Sequence, residues 1–498
     1  MAVRMEKIKK IKKIKNYKLE LTVFICGAMG MVLELVAARV LSPYVGSSNL
    51  IWTTIIGIML ISMSLGYWIG GKIADKNKDL KDLSQFILIS TISTSFISIF
   101  ETIIVNQLAE TIPSLITVAI ISAMFLFGIP SFMLATASPI AVRLKNDEEK
   151  EVGKVSGKIS SLSTIGSIVG TFVAGFILIP NIGVRNIILG SSIILYFLSI
   201  ILYPNKNKKY FIKILGILVL IIFAYIFGKN LFKKEHKDII KDIDSEYSRI
   251  WVKDIKKQNG EYKTLQVDTG LESYINQETG EMGAQYLKYY DLFDYNNKNA
   301  NKTLIIGGAA YTYPRHYLEK YVDKQIDVVE IDNTMTDLAT QEFGLDINNK
   351  NLKIYHQDGR SYINYSKEKY DTILIDAFKG LNAPFELTTY EAMCKVKERL
   401  NSNGMVITNI LSSLEGEQSK FAKYEYVTYK AVFDNVKIYT VKTDDKTQYQ
   451  NLILVGIKGN PEVNENKYSE YKDLLNTEVL DFNTNVKIAT DDFTPIGN

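Results

Sequence analysis

Cysteine and histidine are both scarce in this chain of 498 residues: two Cys, at 26 and 394, and three His, at 236, 316 and 356. Two cysteines so far apart exclude a disulfide framework and fit a reducing compartment. Three isolated histidines without a Cys cluster give no metal-ligand spacing, so no metal is expected. A large excess of one charge is lacking too; the net charge of +4 does not argue for nucleic acid. A complete G-x-G-x-x-G and a G-K-[ST] are both missing, which disfavours a dinucleotide or ATP held by its phosphates.

What is present divides the chain in two. Residues 19–228 are mostly apolar runs with short polar breaks, whereas 229–498 have the mixed composition of a soluble domain. Apolar stretches near 19–41, 51–71, 84–105, 114–140, 162–180, 186–203 and 211–228 are each about long enough to cross ~30 Å of hydrocarbon. A lysine-rich flank, "KIKKIKKIKNYK" at 7–18, precedes the first. Further basic loops at 71–82, 142–154 and 204–210 alternate with loops at 42–49 and 106–113 that carry no Lys or Arg. The positive-inside rule then places the N-terminus and the basic loops in the cytoplasm. Gly66/Gly70 and Gly166/Gly170 provide close helix packing. Glu34 and Arg39 lie inside the first apolar run, where charge is costly; a structural ion pair and a substrate site both stay open. Parity leaves a conflict. Seven crossings put 229–498 outside, yet the segment after 228 is again basic, so either 211–228 is interfacial or re-entrant or the apolar runs make one crossing fewer than their number, and the soluble domain is expected in the cytoplasm.

The expected plan is a basic flank (1–18), a membrane domain of six or seven helices (19–228), a linker (229–244), a small β module (245–285) and a Rossmann-like domain (286–498). Three extended runs, "RIWVKDI", "YKTLQVD" and "ESYINQ", are separated by "QNGE" and "TGL", which reads as a small antiparallel module. Beyond it strands and helices alternate, which argues a parallel, doubly wound sheet with its ligand at the carboxyl ends of the strands. The first strand ends at Gly307-Gly308, whose missing Cβ atoms let backbone approach a ligand. The second ends at Glu330, placed to accept ribose hydroxyls. The third offers Asp358 to an exocyclic amine such as that of adenine, and the fourth puts Asp376 at the mouth of the site. For each acid taken singly the alternative is a helix N-cap or a solvated loop, and four successive strand ends that all supply suitable groups disfavour that alternative for the set. A nucleoside without phosphates, S-adenosylmethionine or its decarboxylated form, fits this set. The tail offers Asp491 and Asp492, for which an ordered role over the site and a solvated terminus both stay open, the latter being the plainer reading.

The motifs "IIGGAAYTYPR", "VVEID", "HQDGR" and "YDTILIDAF", with the β module before them and "MVLELVAARVLSPYVG" and "GYWIGGKIAD" in the apolar half, resemble the membrane-fused branch of the spermidine synthase (aminopropyltransferase) family. The resemblance implies a transporter-like membrane domain, then a small β-sheet domain and a Rossmann-like, methyltransferase-type domain. It also implies an aminopropyl transfer from decarboxylated S-adenosylmethionine to an amine, without a metal. Glu330 would bind ribose, Asp358 the adenine amine, and Asp376 would hold and deprotonate the attacking amine. The partners implied are a small-molecule amine and a lipid bilayer, and a homodimer is compatible with it.

Three positions depart from the family pattern. Ala310 stands where the glycine loop of soluble members carries Asp, Lys379 replaces a second Asp after the fourth strand, and Tyr286-Leu287-Lys288 replaces a Tyr-His-Glu stretch. Fewer carboxylates and two added lysines weaken attraction for a polycation. Three readings therefore stay open: a membrane-anchored aminopropyltransferase of polyamine biosynthesis; an S-adenosylmethionine-dependent methyltransferase or related transferase on a non-polyamine acceptor; and a transporter-like or sensory membrane protein with a nucleoside-binding domain.

Overall fold

The computed structural model describes residues 2–492 except 77–78, 150–151, 205–207, 258–259, 378–383, 444, 481 and 483. The chain divides into two compact units, 1–250 and 251–498.

In the first unit, the apolar runs form seven helices long and apolar enough to cross a membrane: α1 (Tyr17–Val45), α2 (Asn49–Lys76), α3 (Leu80–Phe100), α4 (Leu115–Lys145), α5 (Val152–Ile182), α6 (Val184–Leu202) and α7 (Tyr210–Glu235). A helix satisfies every backbone polar group within its own segment, the condition for crossing hydrocarbon. Large apolar side chains such as Phe176, Phe197, Phe211 and Trp68 face outward. Single π-turns, Met124–Gly128 and Ala174–Leu178, precede Pro130 and Pro180; each accommodates a ring that cannot donate to the helix ladder. The paired glycines pack as expected: a Cβ on Gly166 or Gly170 would lie 2.1 or 2.3 Å from the Phe24 or Ala28 carbonyl of α1.

The segment suspected of being interfacial is α7, a 26-residue helix of the same kind as the other six. Its lysines flank an unbroken apolar run, so they end the helix without interrupting it. The two ends of this bundle are distinguishable by their ion pairs. At one end Lys18 donates to the Ile201 carbonyl (2.9 Å), Glu20 is bracketed by Lys145 and by Lys158 at 2.6 Å, and Arg143 faces Asp75 at 3.5 Å. The other end holds Glu101, which meets Arg249 at 3.2 Å and Arg185 at 3.7 Å. Arg249 also forks onto Asp242 at 2.9 and 3.0 Å, while the Val184 amide donates to Asp244 (2.9 Å). Arg39 binds the Glu246 carbonyl at the same end. Glu34 is buried, and its Oε2 has no hydrogen-bond partner among the described residues.

A strand the sequence reading omitted, β1 (Ile239–Asp244), supplies Asp242 to this end. It precedes β2 (Arg249–Lys257), β3 (Gly260–Val267) and β4 (Gly270–Asn276), neighbours in that order, with β3 and β4 antiparallel.

The second unit is built on a seven-stranded sheet: β5 (Lys302–Ile306), β6 (Gln325–Val329), β7 (Leu352–Tyr355), β8 (Tyr370–Ile375), β9 (Leu400–Ser412), β10 (Asn435–Thr440) and β11 (Gln450–Ile457), in the order β10-β11-β9-β8-β5-β6-β7. Strands β5 to β9 pair in parallel; β10 and β11 close one edge antiparallel. The intervening helices are α8 (Thr312–Lys320), α9 (Asn333–Glu342), α10 (Gly359–Tyr365), α11 (Tyr390–Arg399) and α12 (Lys420–Val432). Near-continuous apolar runs such as Leu304–Ile306 and Ile373–Ile375 are buried, as expected of strands covered on both faces. The chain steps from β5 outward to β6 and β7, then returns across β5 to β8. That reversal opens a crevice at the carboxyl ends of β5 and β8.

Candidate active site

The crevice is shaped by a strained loop. Gly307 has φ +97°, and a Cβ there would lie 2.3 Å from the Asp376 carbonyl, so only glycine lets the ends of β5 and β8 come so close. Ala309 (φ 46°) and Tyr311 (φ 53°) are also left-handed, a costly state for residues with a Cβ. The surroundings hold them there. Glu330 Oε2 accepts from the Gly308 and Ala309 amides at 2.7 and 3.1 Å, and its Oε1 accepts from the Asp332 amide at 3.0 Å. Tyr311 is buried, with its hydroxyl 2.7 Å from Thr336 Oγ1. Burial raises the Glu330 pKa above the usual carboxylate value, and the three amides pull it back. The loop amides that would cradle a phosphate in a nucleotide-binding turn thus already face the protein's own carboxylate.

Asp376, just past β8, keeps part of its surface open to the pocket. Its Oδ2 accepts from the Tyr286 hydroxyl and its Oδ1 from Asn409 Nδ2, both at 3.1 Å. Asn409 Oδ1 in turn accepts from Asn451 at 2.9 Å, so β9 and β11 fix the amide that fixes the acid. The Tyr290 hydroxyl, also buried, faces the same carboxylate. Loss of water raises the Asp376 pKa; Asn409, Tyr290 and Tyr286 oppose that rise.

The pocket is lined by Asp376, Tyr286, Gly307, Gly308, Ala309 and Tyr313, and by Glu272 and Ser273 of β4. Among the residues predicted for the site, Gly307, Gly308, Asp376 and Tyr286 therefore come together. Glu330 stands behind the loop and braces it. Asp358 is exposed and caps α10 through the Ser361 amide (2.7 Å), the helix-cap role that was the alternative to binding the adenine amine. Ala310 is buried, and it is Ala309 that faces the pocket. Lys288 is exposed on the turn Gln285–Asp291. Lys379 lies outside the described residues.

Two features were missed in the sequence, and a third was named there with its less plain reading. Glu272, legible in the sequence only as part of a hairpin, is one of the residues lining the pocket. Tyr313 donates to buried Asp291 at 3.0 Å, which also holds Lys320 at 2.9 Å; its ring meets Tyr290 edge-on with centroids 5.1 Å apart. Finally, Asp491 is not a solvated tail. It pairs with Arg360 at 2.9 Å and accepts from Thr389 at 2.6 Å.

Residues 291–467 match the family model for a spermine/spermidine synthase domain. The chain is 25% identical over 407 residues to "Polyamine aminopropyltransferase 2" of Aquifex aeolicus, covering 78% of each chain. It is 34% identical over 121 residues to the "Probable polyamine aminopropyl transferase" of Bifidobacterium longum, covering 24% of this chain and 26% of that protein. The chain thus spans about a quarter of the Bifidobacterium relative. Among solved structures, a probable spermidine synthase from Corynebacterium glutamicum aligns at 20% identity and a TM-score of 0.41, covering 48% of this chain and 86% of that one.

Proposed function

We propose that the synthase domain of this chain transfers an aminopropyl group from decarboxylated S-adenosylmethionine to a small amine, in a protein anchored by its apolar helices. The observation that carries this reading is that two acidic residues, Asp376 and Glu272, line one pocket together with Tyr286 and Tyr313. Such a pocket suits cations. Its glycine loop spends its amides on Glu330, which fits a nucleoside without phosphates. The missing Asp at 310 bears less on the reading than the sequence suggested, because the side chain there is buried.

The bound donor would supply a carbon next to a sulfonium, from which an amine displaces a neutral thioether. The chain's own residues do the rest. Asp376 aims the amine with one carboxylate oxygen, and, once its pKa is raised by burial, is a competent acceptor for the proton the nitrogen must lose. Tyr286 and Asn409 fix the carboxylate so that little reorganisation accompanies attack. Glu330, through the loop, is proposed to receive the ribose with its remaining lone pairs; Asp358, a cap at the end of β7, remains a proposed contact for the adenine amine.

The test is to titrate purified full-length protein with S-adenosylmethionine and its decarboxylated form by calorimetry, then assay methylthioadenosine release with putrescine. Tighter binding of the decarboxylated form and amine-dependent release are expected. Preference for the intact cofactor with no methylthioadenosine would overturn aminopropyl transfer in favour of methyl transfer.

Two further results are expected. Glu272→Gln raises the KM for the amine by roughly 5- to 10-fold, about 1 kcal/mol of lost ion pairing, and flattens its dependence on salt; an unchanged KM at low salt would remove Glu272 from cation binding. The raised Asp376 pKa places the acidic limb of the kcat/KM profile above the ordinary aspartate value of ~4, with activity rising as Asp376 loses its proton. A limb at or below that value would contradict the role of burial.

A further inference from the structure

The ion pairs at the two ends of the helix bundle carry a consequence for where the synthase domain finds its substrates. Lys18, Asp75, Arg143, Lys145, Lys158 and Ile201 share one end. Arg39, Glu101, Val184, Asp242, Glu246 and Arg249 share the other. On α1 alone, Lys18 and Arg39 stand 21 residues apart, roughly 30 Å along a helix, which is the thickness of a bilayer's hydrocarbon core. The chain therefore starts at one end of the bundle and leaves it, through residues 236–250, at the other. An odd number of crossings brings this about, and α7 is the crossing that makes the number odd.

Charge orients the bundle. The described segments at the first end (2–18, 72–76, 79–81, 143–149, 152–158 and 208–213) contain 18 Lys and Arg, against 6 at the second (39–49, 101–115, 182–186 and 229–238). The positive-inside rule assigns the first end to the cytoplasm. The lysines after 228, which suggested the opposite, have a local cause. Lys233 and Lys234 occupy the last turn of α7, where the helix dipole favours cations.

We infer that the N-terminus is cytoplasmic and that residues 236–498 lie on the far side of the membrane. This reverses the cytoplasmic placement expected from the sequence. The placement rests on contacts within residues 1–250 alone. Combined with the proposed function, it means that the donor nucleoside and the amine reach the pocket from the non-cytoplasmic side, so a transport step must supply a donor made inside the cell.

Three single-cysteine variants of the full chain, made in a Cys26→Ser, Cys394→Ser background, test the placement: Lys81→Cys at the first end, Glu110→Cys at the second and Tyr365→Cys in the synthase domain. All three positions are exposed. Each is expressed in bacterial spheroplasts and treated with a membrane-impermeant maleimide before and after permeabilisation. Glu110→Cys and Tyr365→Cys are expected to label equally in both conditions, and Lys81→Cys only after permeabilisation. Tyr365→Cys protected until permeabilisation overturns the inference, as does Lys81→Cys labelled in intact spheroplasts. Labelling is independent of catalysis. A protein that labels as expected but releases no methylthioadenosine keeps the placement and loses the proposed reaction.

Discussion

Asp376→Asn is expected to lower turnover by roughly 10²- to 10⁴-fold, the usual contribution of a positioned general base, while leaving the protein folded. The substitution is nearly isosteric. An Asn oxygen can keep the bond from Asn409, and its amide can donate to the Tyr286 hydroxyl that now donates to Asp376. What is lost is the capacity to take a proton from the amine and the negative charge that attracts it. Stability should move the other way. Burial raises the Asp376 pKa in the folded state, so over the interval between the unfolded and folded pKa values the folded form binds more protons. Stability then falls as pH rises through that interval. The Asn variant has no such fall, and above the interval its melting temperature should equal or exceed that of the parent. Single-turnover release of methylthioadenosine and a melting curve at two pH values check both parts. Full turnover in the variant would remove Asp376 from the mechanism.

That opposition between activity and stability marks what the sequence could disclose. The apolar runs ending in "IIGG" and "LIDAF" had to become adjacent buried strands, because apolar segments of that length bounded by polar turns bury on both faces. Gly307 and Asp376 were accordingly legible. Long-range partners were not. Asn409, which fixes Asp376, lies 33 residues on in a different strand, and no local pattern distinguishes it from any other polar strand residue. Glu272 lies over 100 residues from Asp376, and only the tertiary fold brings both residues to one pocket. Ala310 illustrates the reverse error. A motif position was given a side-chain role, whereas the left-handed backbone at Ala309 and Tyr311 turns its neighbour inward.

Glu330→Gln separates two roles that the sequence merged. As a ribose acceptor alone, Glu330 would matter only when the nucleoside is bound. In the structure its carboxylate already accepts three backbone amides, two of them from a loop with left-handed residues at Ala309 and Tyr311. A glutamine has one acceptor oxygen. If that oxygen serves Gly308 and Ala309, the side-chain NH₂ meets the Asp332 amide, donor against donor; reversed, two loop donors lose their partner. Leaving a buried donor unpaired costs about 1–3 kcal/mol, and the left-handed residues lose what holds them. The ligand-free variant should therefore melt lower, and donor affinity should fall by roughly 10- to 100-fold, because the loop must be re-formed at the expense of binding. Glu330→Asp, which keeps the charge but shortens the reach, should recover only part of either loss. Differential scanning calorimetry of the free protein beside donor titration decides the point. A fall in affinity with an unchanged ligand-free melting temperature would mean that Glu330 acts on the ribose directly, and that the strained loop is held by Tyr311 and its bond to Thr336 instead.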